Sequence, residues 1–329
     1  HRNKESFWGD GGSRIGVEGK WQFRRRQWIF SRAEAGFNVL DELEYLFDPS
    51  AASGEGSNST FFKRLLYVGW ESPETLITFG KNWSPYYRVA GFTDRFESTG
   101  GSASGTYNAG TDGGATGTGR ADNALQTRAL VGDSLTRWGI KPFKLNVQLQ
   151  NDESVPHLNG ADYGLALSLS GIIEFGNDYT VGIAYNHATV DINDPDVRES
   201  GIDGDAQALL LGTRWFGDRW YLGTTVSRLL NHETTNETVY FDGWGWEVYS
   251  QYQLKGRLWI VGGWNYLVPD KQERQAGDYL LKYGVIGLRY SFDDFSKIIF
   301  TNAQFDEGQK ADGSSFGNTF TIGVRWDLP

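Results

Sequence analysis

The closing stretch of the chain, TFTIGVRWDLP, puts Phe320, Ile322, Val324, Trp326 and Leu328 on one side of an extended strand and Thr319, Thr321, Gly323, Arg325 and Asp327 on the other, because strand side chains alternate with period two. The same alternation recurs upstream. In FKLNVQLQ, Phe143, Leu145, Val147 and Leu149 oppose Lys144, Asn146, Gln148 and Gln150; in EVYSQYQL, Val248, Tyr252 and Leu254 oppose Glu247, Gln251 and Gln253. A sheet built this way has one apolar face that must meet either a packed core or lipid. Which of the two it meets decides the fold.

No run of about eighteen apolar residues is present, so a helical membrane protein is excluded. The mean hydropathy of -0.47 looks like that of a soluble chain. A transmembrane barrel passes the same test, because only alternate residues of its strands face lipid. The 13 Trp, 16 Tyr and 20 Phe, 15% of the chain, are a heavy load of the rings that gather at membrane interfaces. The competing reading is an aromatic-rich soluble sandwich or carbohydrate-binding β domain.

The chain has no cysteine, which removes disulfides, thiolate nucleophiles and Cys metal sites. A formal charge of -10 disfavours nucleic acid as a partner, since phosphate binding calls for a basic surface. No secretory leader is legible in HRNKESFWGD.

Fifteen strand-like segments separate along the 329 residues in a rhythm of short and long gaps. Short turns such as GND, GD, KG and DDF join hairpins. The long gaps, for example 191 to 204 and 306 to 318, are rich in Asp, Asn, Glu and Gly. Short turns on one rim and long loops on the other are the rule for outer-membrane barrels, which in bacteria have an even number of strands. The expected fold is therefore all-β: a 16-stranded antiparallel transmembrane β-barrel formed by one domain over residues 1–329, with a first strand preceding His1 and residues 1 to 12 as an outer loop. A bore of that width is too wide for side chains to fill. Arg325 and its alternating partners should then face water, and the Phe320 row should face lipid. RAEAGFNVL and KRLLYVGWE break the pattern, with apolar residues on both faces; contact with other copies in a homotrimer would account for part of this.

The stretch KRLLYVGWESPETLITFGKNWSPYYRVAGFTDRF, followed by GRADNALQTRAL, resembles the part of the general Gram-negative outer-membrane porins that holds a strand, a tight turn, a strand and an infolded third loop. SRIGVEGK, YGVIGLRYSF and TFTIGVRW are similar to other strands of that family. The resemblance implies a water-filled channel for passive diffusion of small hydrophilic solutes, in a homotrimer placed in the lipid bilayer and lipopolysaccharide of the outer membrane. It also implies a constriction loop, here residues 88–120, whose acidic residues face a basic wall. Carried over by position, Arg14, Arg64 and Arg128 form the wall, and Asp94 and Glu97 the acidic side. Glu97 sits one place earlier than the family pattern and lacks its proline, and Arg95 has no family counterpart. Chemistry supports an inward Arg14 independently: it shares a face with Gly16, Glu18 and Lys20, opposite Val17 and Trp21, and a lipid-facing Arg near the midplane costs about 2 to 4 kcal/mol.

Other constellations carry less. His1, His157 and His232 are expected in loops and His187 at the end of a strand, with no Ser-His pattern to suggest an enzyme. DINDPDVRESGIDGD lacks the EF-hand spacing, so neither a metal nor any other cofactor is expected. The Arg24–Arg26 run falls between two strands and reads as an exposed rim. A substrate-selective channel for sugars or anions is the alternative function, kept open by Trp and Tyr at loop bases; a lectin-like domain or a barrel-anchored adhesin is a third class.

Overall fold

A computed structural model describes residues 12–37, 61–132, 141–151, 153–236, 238–293 and 296–327. Its strands are β1 (Arg14–Arg24), β2 (Gln27–Phe37), β3 (Phe61–Glu71), β4 (Thr75–Trp83), β5 (Arg120–Val131), β6 (Phe143–Gln150), β7 (Glu153–Ser154) and β8 (Ala161–Phe175). They continue with β9 (Tyr179–Ile192), β10 (Ala206–Phe216), β11 (Trp220–Thr234), β12 (Tyr240–Lys255), β13 (Leu258–Pro269), β14 (Leu281–Ser291), β15 (Lys297–Asp306) and β16 (Thr319–Trp326). All pair with their neighbours in a single 16-stranded sheet, and the two-residue β7 pairs only with β8, off the main path. The fifteen long strands are those the alternation predicts; β7 is an addition too short to leave a periodic signal. Among the described residues β1 pairs only with β2, and β16 only with β15. The expected outer loop before Gly12, the polar stretch ending at Ser59, residues 38–40 and Leu328 lie outside the described residues.

Consecutive strands meet antiparallel, as tight turns require. Gly176 and Gly256 occupy the turns at φ 61 and 55, the left-handed conformation that glycine adopts without steric penalty.

The burial pattern reverses that of a soluble protein. Phe320, Ile322, Val324 and Trp326 are 64% to 71% exposed. On β6, Leu145 and Leu149 are exposed whereas Asn146, Gln148 and Gln150 are buried. The same holds on β9, where Val181 and Ile183 point out and Thr180 and Asn186 point in. Exposed aromatic residues mark both ends of the strands. Phe175 with Tyr179, Phe216 with Trp220, and Tyr290 with Phe292 flank the short turns, and Phe62, Trp244, Trp246, Phe305 and Phe320 lie toward the long loops. Two rings of this kind around an apolar band match the two interfaces of a bilayer.

The irregular segments have a local cause. Glu34 pairs with Leu65 and Ala35 with Lys63, so Arg64 has no opposite residue. This β-bulge shifts the phase of β3 partway along its length. It leaves Phe61, Phe62 and Lys63 all exposed and turns Arg64 inward beside Glu34.

Candidate functional site

The polar inner face is buried because the connection between β4 and β5, residues 84–119, folds into the sheet. Its neck is closed where the Ser84 amide donates to Gly119 O at 2.9 Å and the Ser84 hydroxyl donates to Thr118 O at 2.6 Å. A single helical turn, α1 (Tyr87–Ala90), follows the neck. Val89 and Phe92 pack on the inner face of β9 and β10, against Gly182 and Gly212. Further along, the backbone itself touches the wall: a Cβ at Gly223 would meet Phe92 O at 2.2 Å, and one at Gly245 would meet Ala103 O at 1.7 Å.

Buried polar groups need partners, and the loop and wall supply them to each other. Glu247 on β12 accepts from the Thr93 hydroxyl at 2.5 Å and from the Ala103 and Ser104 amides at 2.7 and 2.8 Å. The Tyr221 hydroxyl donates to Phe92 O at 2.6 Å. Gln148 and Gln150, read from sequence as water-facing, donate to Gly117 O and Gly114 O at 3.1 and 2.7 Å. At the end of the loop, Lys81 bridges Asp112 at 2.9 Å and Asp122 at 2.8 Å, and Arg120 reaches Asp112 at 3.2 Å. Burial pushes the Asp112 carboxyl up, but the Lys81 hydrogen bond and the Lys81 and Arg120 charges outweigh it and hold the group below the usual aspartate range.

Histidine placement departs from expectation. His232 lies within β11, not in a loop, because the strand continues past a bulge at Asn231 (φ 47). Its ring is fully buried and Nε2 donates to Gly105 O at 2.7 Å. His187 lies inside β9 rather than at its end, 3.1 Å from Asp205.

The five residues singled out by sequence fall into separate groups. Arg14, exposed on β1, lies near enough to Glu34 for its charge to act on that carboxylate. Arg64 reaches Glu34 at 2.9 Å, and Arg32, which sequence reasoning missed, reaches the same carboxylate at 2.8 Å. Arg128 shares the inner face of β5 with Gln126. Asp94 accepts from the Tyr107 and Tyr87 hydroxyls at 2.7 and 3.1 Å. Glu97 instead pairs with Arg325 at 3.1 Å and Arg289 at 3.7 Å. Arg95 lies over the Tyr221 ring, 4.3 Å from its centroid, a cation–π placement. Arg32 and Glu34 were legible in principle, since they share a face of β2 that pairs with the Gly16 and Glu18 face of β1.

An antiparallel sheet with a lipid-facing exterior, a polar interior and one loop folded into it is the build of an outer-membrane channel. The family described as Gram-negative porin matches residues 6–267. The chain belongs to that family, and with it to the outer membrane. Solved structures agree at the level of fold. OmpF of Salmonella typhi, in complex with daunomycin, superposes with a TM-score of 0.75 at 20% identity, covering 98% of this chain and 92% of that one. An anion-selective porin from Comamonas acidovorans gives 0.65 at 14% identity, over 96% and 85%. OmpT of Vibrio cholerae, in its trimer form, gives 0.61 at 14% identity, over 98% and 91%. No curated protein matches the chain.

Proposed function

We propose that this protein is a passive diffusion pore for small hydrophilic solutes and ions, narrowed by the 84–119 loop and working as a homotrimer in the lipopolysaccharide-bearing outer membrane. The observation that carries the reading is the inverted sheet, apolar outside and polar inside, with that loop held against its inner wall. Fixed charges across a narrow aqueous neck orient water and polar solutes and penalise apolar ones that lose hydration. Arg14, Arg64 and Arg128 supply the basic side, and Asp94 and Glu97 the acidic side. The trimer form of the Vibrio protein supports the assembly by likeness of fold.

Reconstitution in a planar bilayer tests this. Stepwise currents in KCl are expected, with Arg64→Ala shifting the reversal potential toward cations and Asp94→Asn toward anions. Absent currents would refute the pore. Unmoved potentials in both variants would refute the charge assignment.

A second reading, an anion-preferring channel, is favoured by one feature: the loop carboxylate of Glu97 is shared between two wall arginines, and Asp94 is engaged by two tyrosines. Two guanidiniums thus offset the charge of Glu97, the neutral tyrosine hydroxyls leave that of Asp94 in place, and the net charge of -10, summed over the whole chain, does not set the sign at the neck.

A further inference from the structure

Arginines of the bore are held in two ways. Arg32 and Arg64 share Glu34, and Arg289 and Arg325 share Glu97, so part of each charge is offset. Arg95 of the loop and Arg214 of β10 rest on rings instead. The Arg95 amide donates to Thr93 O at 2.9 Å, closing a three-residue turn, and the Thr93 hydroxyl donates to Glu247 of β12. From that fixed base the Arg95 guanidinium carbon lies 4.3 Å from the centroid of the Tyr221 ring. Arg214 stands opposite Gly223 in the pairing of β10 with β11, where Phe92 O meets the wall. Its guanidinium carbon is 4.7 Å from the Phe92 centroid and 5.3 Å from that of Phe216. The platform under the two is continuous: the Phe216 and Tyr221 rings lie edge to face at 4.8 Å, and the Tyr221 hydroxyl donates to Phe92 O at 2.6 Å. The carboxylates that flank Arg95 in the chain turn elsewhere, Asp94 to the Tyr107 and Tyr87 hydroxyls and Glu97 to Arg289 and Arg325. Neither Arg95 nor Arg214 forms an ion pair among the described residues, and the Arg214 Nε is buried there without an acceptor.

A carboxylate fixes a guanidinium by cancelling its charge. An aromatic face fixes it through the ring quadrupole and leaves both the positive charge and the in-plane N–H donors available to a passing ion. We propose that Arg95 and Arg214, seated on the Phe92, Phe216 and Tyr221 rings, are specificity-determining residues of the pore: fixed positive charges on the loop side, not offset by ion pairs, that favour small anions over cations. The pair deepens the anion-preferring form of the pore reading, on which its role rests. Arg95 sets positive charge between Asp94 and Glu97, so the neck is not divided into an acidic loop and a basic wall.

The experiment uses the full chain in planar bilayers, with KCl as the probe. Arg95→Gln and Arg214→Gln should each lower the chloride-to-potassium permeability ratio by about twofold or more, because local fixed charge sets the ion concentration in a confined aqueous space. Arg95→Lys and Arg214→Lys, which keep the charge, should lower it less. The shifts should be large in gradients near about 0.1 M, where fixed charge acts over about 10 Å, and should shrink near about 1 M, where that reach falls to about 3 Å. A shift equal at both concentrations would mark a merely structural role and overturn the assignment. Stepwise wild-type currents with the ratio unchanged in either Gln variant would overturn the pair and leave the pore intact, whereas absent wild-type currents would overturn the pore and the pair with it. Should a Gln variant form no channels, the histidine variant at that position decides, since one assembled channel is then measured with and without the charge. Relative to wild type at the same pH, the ratio in Arg95→His or Arg214→His should fall as pH rises from about 5 to about 8; a ratio that runs parallel to wild type would overturn the assignment.

Discussion

Glu97, near the tip of the infolded loop, lies 3.1 Å from Arg325 of β16, a residue 228 positions away in the chain. Arg289 of β14 approaches the same carboxylate from the neighbouring part of the wall, at 3.7 Å. The tip is thereby held by charge toward the C-terminal strands, while Val89 and Phe92 sit on β9 and β10. Removing the carboxylate takes one negative charge from beside two guanidiniums in the bore, while Arg325 keeps Asp327 at 2.7 Å and Arg289 keeps Gln251 at 2.9 Å. Glu97→Gln is expected to shift the chloride-to-potassium permeability ratio upward by roughly twofold or more, because local fixed charge sets the counter-ion concentration in a confined aqueous space. Reversal potentials in a KCl gradient check this, and an unchanged ratio would mean the pair is electrically silent.

Glu247 holds the loop by its backbone. Glu247→Ala leaves the Ala103 and Ser104 amides without their acceptor, at about 1–3 kcal/mol for a buried group left unsatisfied, while the Thr93 hydroxyl keeps Ala90 O at 3.1 Å. The expected outcome is a larger, noisier single-channel current and faster proteolysis within residues 84–119. Glu247→Gln, which keeps an acceptor oxygen, should show a smaller effect.

At Gly245 the wall and loop backbones approach too closely for any side chain. Gly245→Val should force the loop away from β12 and into the bore, lowering unitary conductance without altering strand content. Circular dichroism and single-channel recording together separate this from misfolding.

The Asp112 carboxylate gives the loop anchor a defined acid sensitivity. Its folded value lies below the ordinary one, so the ionised form favours the folded state. That contribution is complete above the ordinary aspartate range near about 3.9 and is lost as pH falls through the lowered folded value. Thermal unfolding in detergent should therefore show wild type more stable than Asp112→Asn at neutral pH, with the gap closing only below about pH 4.

The lipid-facing row provides the remaining test. Val226 on β11 is exposed between Thr225 and Ser227, both buried toward the loop. Val226→Arg should destabilise the membrane-inserted state by about 2–4 kcal/mol if it lies near the midplane, measured by denaturant unfolding in vesicles. A neutral outcome would argue against lipid contact at this face.

The alternation in FKLNVQLQ and TFTIGVRW was enough to assign each row its side, since a strand's facing is a local property. Arg64 shows the limit. The bulge that turns it inward is set by how β2 and β3 register; the broken alternation of KRLLYVGWE marks an irregular strand but not which residue is skipped. The same holds for the partners of Glu97: Arg289 and Arg325 each alternate cleanly with apolar neighbours, but which carboxylate they meet depends on where the loop tip lands. The groups around a loop residue such as Arg88 follow from the loop's path, and neither period two nor turn chemistry encodes that path.

Gly223 and Gly245 form part of the seat of the loop by having no side chain there. A seat of this kind is asymmetric under mutation: any replacement adds atoms and displaces the loop toward the axis. Chance substitution at these positions can obstruct permeation but cannot enlarge it, so a wider passage has to evolve by shortening the loop or loosening its tethers.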